Sequence, residues 1–187
     1  MTEQQPYEVV ERRPGFELRR YPAHLVAEIE VAGTFNQAAN RAFRPLAGYI
    51  NGANRSRRQI AMTAPVTQQA VGPEKIAMTA PVVQQAAGEP GRYLVQFVMP
   101  SHLTAATLPV PQDARVRTRE IPGQLVAAVR FSGLWTPKAF AERGAALRRA
   151  VASSGLRPAG PIRYARFNPP WTPWFARRNE VMLPVEE

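Results

Sequence analysis

Leu25-Val26-Ala27-Glu28-Ile29-Glu30-Val31, closed by Gly33 and Thr34, has an echo one hundred residues later. There Leu125-Val126-Ala127 is closed by Gly133, with Thr136 and Pro137 just beyond. The first stretch alternates, which sets Leu25, Ala27, Ile29 and Val31 on one side of a strand. Thr34 and Thr136 stand where a helix N-cap belongs, because a hydroxyl there accepts one of the first turn's unpaired amides. Pro137 suits the first helical position, where no amide is needed. Each copy therefore reads as a strand handing over to a helix. The echo predicts two strand–helix–strands halves, about 7–100 and 113–187, related by a pseudo-two-fold.

Working outward, residues 7–12 and 16–21 read as strands on either side of the turn dipeptide Pro14-Gly15. After Thr34 the period changes. Phe35, Ala38, Ala39, Ala42, Phe43, Leu46, Tyr49 and Ile50 recur at three- and four-residue spacing, an apolar stripe on a helix of about four turns. Pro45 predicts a kink and Asn51-Gly52 an end. Phe140, Gly144, Leu147 and Val151 mark the second helix, which stops before Gly155. Further strands are expected over 93–99, 115–121, 125–131, 162–167 and 179–185. Ile60-Ala61-Met62-Thr63-Ala64-Pro65-Val66 recurs as Ile76-Ala77-Met78-Thr79-Ala80-Pro81-Val82. Val71-Gly72-Pro73-Glu74 between the copies predicts a hairpin of nearly identical arms, its prolines placing it at an edge or a bulge. Strands outnumber helices too heavily for a doubly wound fold. The expectation is one α+β domain over 1–187: a distorted, mostly antiparallel β-barrel or sheet with two flanking helices.

The 187 residues contain no cysteine, so disulfides, thiolate metal sites and cysteine nucleophiles are excluded. No apolar run approaches the roughly 20 residues of a membrane helix, and residues 1–11 lack a signal-peptide core, so a cytoplasmic protein with no membrane partner is expected. The net charge of +10 comes mainly from arginine: of the 24 basic residues only Lys75 and Lys138 are lysine. These arginines are scattered in ones and twos without a recognition module, which favours a solvated surface over nucleic-acid binding.

Catalytic chemistry finds little to work with. The only histidines are His24 and His102, the only aspartate is Asp113, and there is no G-x-S-x-G elbow or phosphate loop. Two distant histidines do not make a zinc site, and Glu28 and Glu30 read as the solvated face of a strand. No enzyme is expected. Binding has more support. Trp171, Trp174 and Phe175 sit in a proline-stiffened loop beside Arg177 and Arg178, and the helix stripe carries Phe43 and Leu46 with Arg41 and Arg44 nearby. The loop rings either cap an open end of the core or form a slot with a cationic rim, suited to a flat, acid-bearing amphipathic ligand.

Gly48-Tyr49-Ile50-Asn51-Gly52-Ala53-Asn54 after an alanine-rich helix, the Ile60–Val66 motif, Asn168-Pro169-Pro170 and Arg177-Arg178-Asn179-Glu180-Val181 resemble the SOUL heme-binding protein family. The likeness runs from about Tyr7 to Leu183, and the doubled motif resembles bacterial members. The resemblance implies a distorted β-barrel flanked by two helices. It also implies heme or a related tetrapyrrole, bound non-covalently in a shallow apolar groove, with a carrier, buffer or sensor role. It places Asn40, Phe43, Arg44 and Ala47 on the helix side of that groove. Opposite lies the loop from Pro170 to Trp174, contributing Trp171, Thr172 and Trp174, with Arg177 following. The chain departs from the family at the two propionate-facing cationic positions, which are Asn40 and Thr172 here; Arg41, Arg44 and Arg177 are the nearest substitutes. The axial histidine of one family branch falls at Arg20, with His24 four residues on and, by strand parity, on the same face. Heme without a strong axial protein ligand is therefore expected. Two alternatives stand beside this: an effector-binding module for another amphipathic small molecule, and a hydrolase-type enzyme using Glu180, His24 or His102.

Overall fold

The computed structural model describes residues 3–55, 73–169 and 171–187. Past β1 (Glu3–Gln4), Gly15 at φ 89° turns β2 (Glu8–Arg13) back as β3 (Phe16–Tyr21). Alternation sends Phe16 and Leu18 to one side of β3 and Arg19 and Tyr21 to the other, and all four are buried. In β4 (His24–Ala32) the residues Leu25, Ala27 and Ile29 pack with the first helix, while His24, Val26 and Glu28 take the opposite face. Gly33, at φ 142°, redirects the chain into α1 (Phe35–Ile50). Thr34 Oγ1 accepts from Gln37 N while Gln37 Oε1 accepts from Thr34 N, a reciprocal cap that satisfies two amides at once. The helix continues through Pro45 and ends at Asn51, whose amide donates to the Ala47 carbonyl.

There follow β5 (Asn54–Arg55), β6 (Thr79–Ala80), β7 (Val82–Ala86), β8 (Arg92–Val98), β9 (Val110–Pro111), β10 (Arg117–Ile121) and β11 (Gln124–Phe131). Thr136 caps α2 (Pro137–Ala152), with Pro137 at its first position. The chain closes with β12 (Arg157–Pro158), β13 (Arg163–Arg166), a 3₁₀ turn (Trp174–Ala176) and β14 (Asn179–Glu186).

The main sheet is antiparallel throughout, in the order β10-β4-β8-β7-β13-β14-β11-β3-β2, with β12 beside β14. The order reads symmetrically about the β7–β13 junction: β7 answers β13, β8 answers β14, β4 answers β11, and β10 answers β3. Each half therefore lends a strand to the other, since β3 pairs with β11 and β10 with β4. Among the described residues the end strands β10 and β2 do not pair, so the sheet stays open. Both helices lie on one face. Ala42, Leu46, Tyr49 and Ile50 of α1 pack on Ile29, Val95 and Phe97, and Phe140, Leu147 and Val151 of α2 on Phe131, Val181 and Leu183.

Three expectations need correcting. Glu28 is buried rather than solvated, accepting from Gln96 Nε2 at 2.8 Å and Arg119 Nη2 at 3.1 Å. Arg20 shares the strand side of Phe16 and Leu18, whereas His24 lines a cleft with Tyr21, so the two do not share a face. The intervening Pro22-Ala23 link resets the alternation. The first IAMTAPV copy lies outside the described residues, and the second is no edge arm. Its Thr79-Ala80 pairs in parallel with Glu3–Gln4, and Val82 begins β7 in the middle of the sheet. Pro81 sits between these strands, where its missing amide costs the ladder nothing.

Candidate functional site

β13 and β14 pair along the centre of the sheet, and residues 167–178 connect them. The base of this loop is pinned: Phe167 N donates to the Arg178 carbonyl at 3.2 Å and Arg178 N to Asn168 Oδ1 at 2.6 Å. Above it, Thr172 N bonds to the Pro169 carbonyl and Ala176 N to the Pro173 carbonyl. Pro169 and Pro173 have no amide to offer a neighbouring strand. Its rings face water: Trp171 is 82% exposed, Trp174 57% and Phe175 66%. Trp174 and Phe175 meet edge to face at 5.7 Å. They do not cap the core.

The RRNEV motif positions this loop, each residue in its own direction. Arg177 Nε donates to the Thr172 carbonyl at 2.7 Å, and its guanidinium lies 4.3 Å from the Trp135 ring centre. Arg178 turns the other way, stacking on Phe167 at 4.0 Å and pairing with Glu180 Oε1 at 2.7 Å. Asn179 Oδ1 accepts from Trp135 Nε1 at 2.6 Å while its Nδ2 donates to the Gly133 carbonyl. Glu180, wholly buried, also holds Arg19 at 2.7 Å. Burial works against the charged Arg19, but the Glu180 bond and charge override it and raise its pKa. Burial also pushes the neighbouring Tyr21 hydroxyl up to about 12. Val181 enters the core.

Of the helix residues expected at the groove, Asn40 and Arg44 are exposed, Ala47 is half-buried, and Phe43 is 49% exposed with its ring 5.8 Å from Phe97. Their i, i+3, i+4, i+7 spacing gives one face. Arg41 instead donates back to the Ala32 carbonyl. Among the described residues, no hydrogen bond or ring pair joins this helix face directly to Trp171, Thr172 or Trp174. The connection runs through the start of α1. Arg166 lies 5.3 Å from the rings of both Phe35 and Trp135 and 5.9 Å from Phe140, while Gly133 N donates to the Trp174 carbonyl. Burial lowers the Arg166 pKa to about 10. Trp135 and Arg166 are thus the residues sequence reasoning missed. Trp135 follows a strand break without any periodicity, and the signal available was its place beside Gly133 and Thr136. Cavities of about 410 and 570 Å³ lie elsewhere and include none of the eight expected residues. No His/Asp/Glu cluster among the described residues could hold a metal ion, and none of their helices is long and apolar enough to cross a membrane.

An open antiparallel sheet of two exchanged halves, with helices on one face and an aromatic loop between its central strands, defines an α+β class of fold. The sequence profile of the SOUL heme-binding proteins matches residues 2–184, and the chain belongs to that family. No curated protein sequence matches the chain. Among solved structures, the EcmrR C-terminal domain shares the fold at a TM-score of 0.63 and 12% identity, covering 97% of this chain and 98% of that one. A hydrolase from Listeria innocua does so at 0.58 and 13%, covering 90% and 91%. EcmrR in a DNA complex gives 0.64 and 12%, covering 92% of this chain and 57% of that one.

Proposed function

We propose that the protein binds heme or a related tetrapyrrole non-covalently, its two halves, 7–100 and 113–187, acting as one binding domain. The observation that carries this reading is the display of Trp171, Trp174 and Phe175 in water on a loop pinned at its base, in a member of a heme-binding family. Flat apolar rings fit a porphyrin face, and arginine forks fit propionates. Arg44 is an exposed cation on the expected helix face, and Arg177 is a loop cation already oriented by Thr172 and Trp135. Phe43 adds a fourth partly exposed ring on the helix side. For iron the fit is poorer: His24 faces a cavity on the helix-free side of the sheet, so binding proceeds by ring burial and propionate pairing. Covering a few hundred Å² of apolar surface at about 25 cal/mol per Å² contributes several kcal/mol before association costs, which leads to micromolar affinity.

The test is a pair of titrations, hemin and iron-free protoporphyrin IX. Both should saturate in the micromolar range within about threefold of each other. A non-saturating response matched by an unrelated basic protein would overturn the reading. The same exposed rings would also serve a second reading, a sensor of another amphipathic molecule. Tryptophan quenching by a panel of cationic, anionic and neutral aromatics separates the two. An enzymatic role has less support, because Glu180 is enclosed and held by two arginines.

A further inference from the structure

Among the described residues eight large apolar side chains are exposed, and four of them gather at one end of the molecule. Trp171, Trp174 and Phe175 stand on the 167–178 loop, and Leu134 joins them from the β11–α2 link. That link is tied to the loop on both sides of Leu134: Gly133 N donates to the Trp174 carbonyl, and the Trp135 ring takes Arg177 at 4.3 Å. The other four, Val10, Phe43, Met78 and Val110, are dispersed over separate parts of the chain. A concentrated apolar patch marks a surface that meets something other than water.

Charge and backbone chemistry say what that is. Residues 130–138 and 166–178 hold Arg130, Lys138, Arg166, Arg177 and Arg178 and no acidic residue. Arg130 and Lys138 are exposed, whereas Glu180, which matches Arg178, is enclosed. Glu142, 3.9 Å from Lys138, is the closest exposed acid in the sequence, so the fringe of the patch is positive. Backbone polar groups resist leaving water unless they are paired. In this loop Thr172 N, Ala176 N and Arg177 N donate to carbonyls of the loop, Arg178 N to Asn168 Oδ1, and Pro169 and Pro173 have no amide. The Thr172 and Trp174 carbonyls are taken by Arg177 Nε and Gly133 N. Little hydrogen bonding to water is therefore lost when the loop is pressed into a headgroup layer.

We infer that this end of the molecule docks on the surface of an anionic lipid bilayer. Trp171, Trp174, Phe175 and Leu134 enter to headgroup depth, where tryptophan is at home, and Arg130 and Lys138 meet the anionic headgroups. A second copy of the chain is a poorer occupant, because it would set the same cations against these. Surface docking needs no spanning helix, the one kind of membrane contact that the lack of a long apolar run speaks against. The inference goes beyond the tetrapyrrole reading and does not need it, although both use the loop's rings.

The test titrates the full chain, free of tetrapyrrole, with vesicles of phosphatidylcholine alone and of phosphatidylcholine with about a third phosphatidylserine. Binding is read by co-sedimentation and by tryptophan emission. The anionic vesicles should bind at least tenfold more tightly than the neutral ones, with an emission that shifts to the blue and is quenched by brominated acyl chains. A chain of net charge +10 meets any anionic surface, so the variants decide. Trp171→Ala/Trp174→Ala should weaken vesicle binding at least tenfold. Leu134→Asp should weaken it at least fivefold and leave hemin affinity unchanged, since Leu134 has no part in the proposed tetrapyrrole site. No binding, equal binding to both vesicles, an unshifted emission, or binding untouched by the tryptophan variant would each overturn the inference. So would a concentration-dependent dimer held by these rings. Should Leu134→Asp not fold, the tryptophan variant decides, because its side chains are exposed. Vesicle binding without hemin binding would leave this inference standing and overturn only the tetrapyrrole reading.

Discussion

In the first half of the molecule β7 returns as β8 through residues 87–91, a short turn; in the second half the equivalent β13 and β14 are joined by residues 167–178. The frame around these two connections is shared. Gly33 and Gly133 both take positive φ, Thr34 and Thr136 both cap helices, and both helices lie on the same face of the sheet. Only the second connection displays large rings to solvent. Packing and capping hold the halves alike, because each must bury a strand–helix face. Connections escape that requirement and are where a ligand surface can form. The difference between 87–91 and 167–178 is thus the difference between scaffold and proposed site.

The loop's base rests on a buried ion cluster, and breaking it should have the largest effect. Glu180→Gln leaves Arg19 buried with its counter-charge reduced, at an expected cost of about 3–5 kcal/mol in urea unfolding. A loss under 1 kcal/mol would mean that the loop does not depend on this anchor. Thr34→Ala and Thr136→Ala should each cost about 1 kcal/mol, and similar values would sharpen the equivalence of the halves. The pH response should be smaller. Burial, together with Arg163, holds the folded His24 pKa below 6.5, so just below that pH the unfolded chain binds more protons. Stability should therefore be full above about 6.5 and decline as pH falls through the window down to the folded pKa, with His24→Gln removing that slope. Trp174→Ala should change stability by less than about 0.5 kcal/mol, since its ring covers no core.

Much of the scaffold could be read directly from residue order. The LVA…G echo, the two threonine caps and the change from period two to period four located β4, α1, β11 and α2. Strand exchange could not be read, because alternation tells which side of β3 is apolar but not that its neighbour is β11 rather than β4. Polar residues misled for a related reason. Glu28 and Arg19 look solvated in a strand until partners from β8, β10 and β14 arrive to satisfy them. At the site, the exposed rings were visible in Trp171-Thr172-Pro173-Trp174-Phe175. Arg177 and Arg178 looked equivalent, yet the backbone between them sends one toward Trp135 and the other toward Glu180. Trp135 offers only its place beside Gly133 and Thr136, and Arg166 no signal at all, since their importance comes from what the fold brings beside them.

The most direct test is hemin affinity in the Trp171→Ala/Trp174→Ala double variant, compared with wild type at equal fold stability. If the loop is the porphyrin platform, the dissociation constant rises at least tenfold while the unfolding curve stays put. Unchanged hemin binding in the double variant would contradict the account and move the tetrapyrrole off this loop.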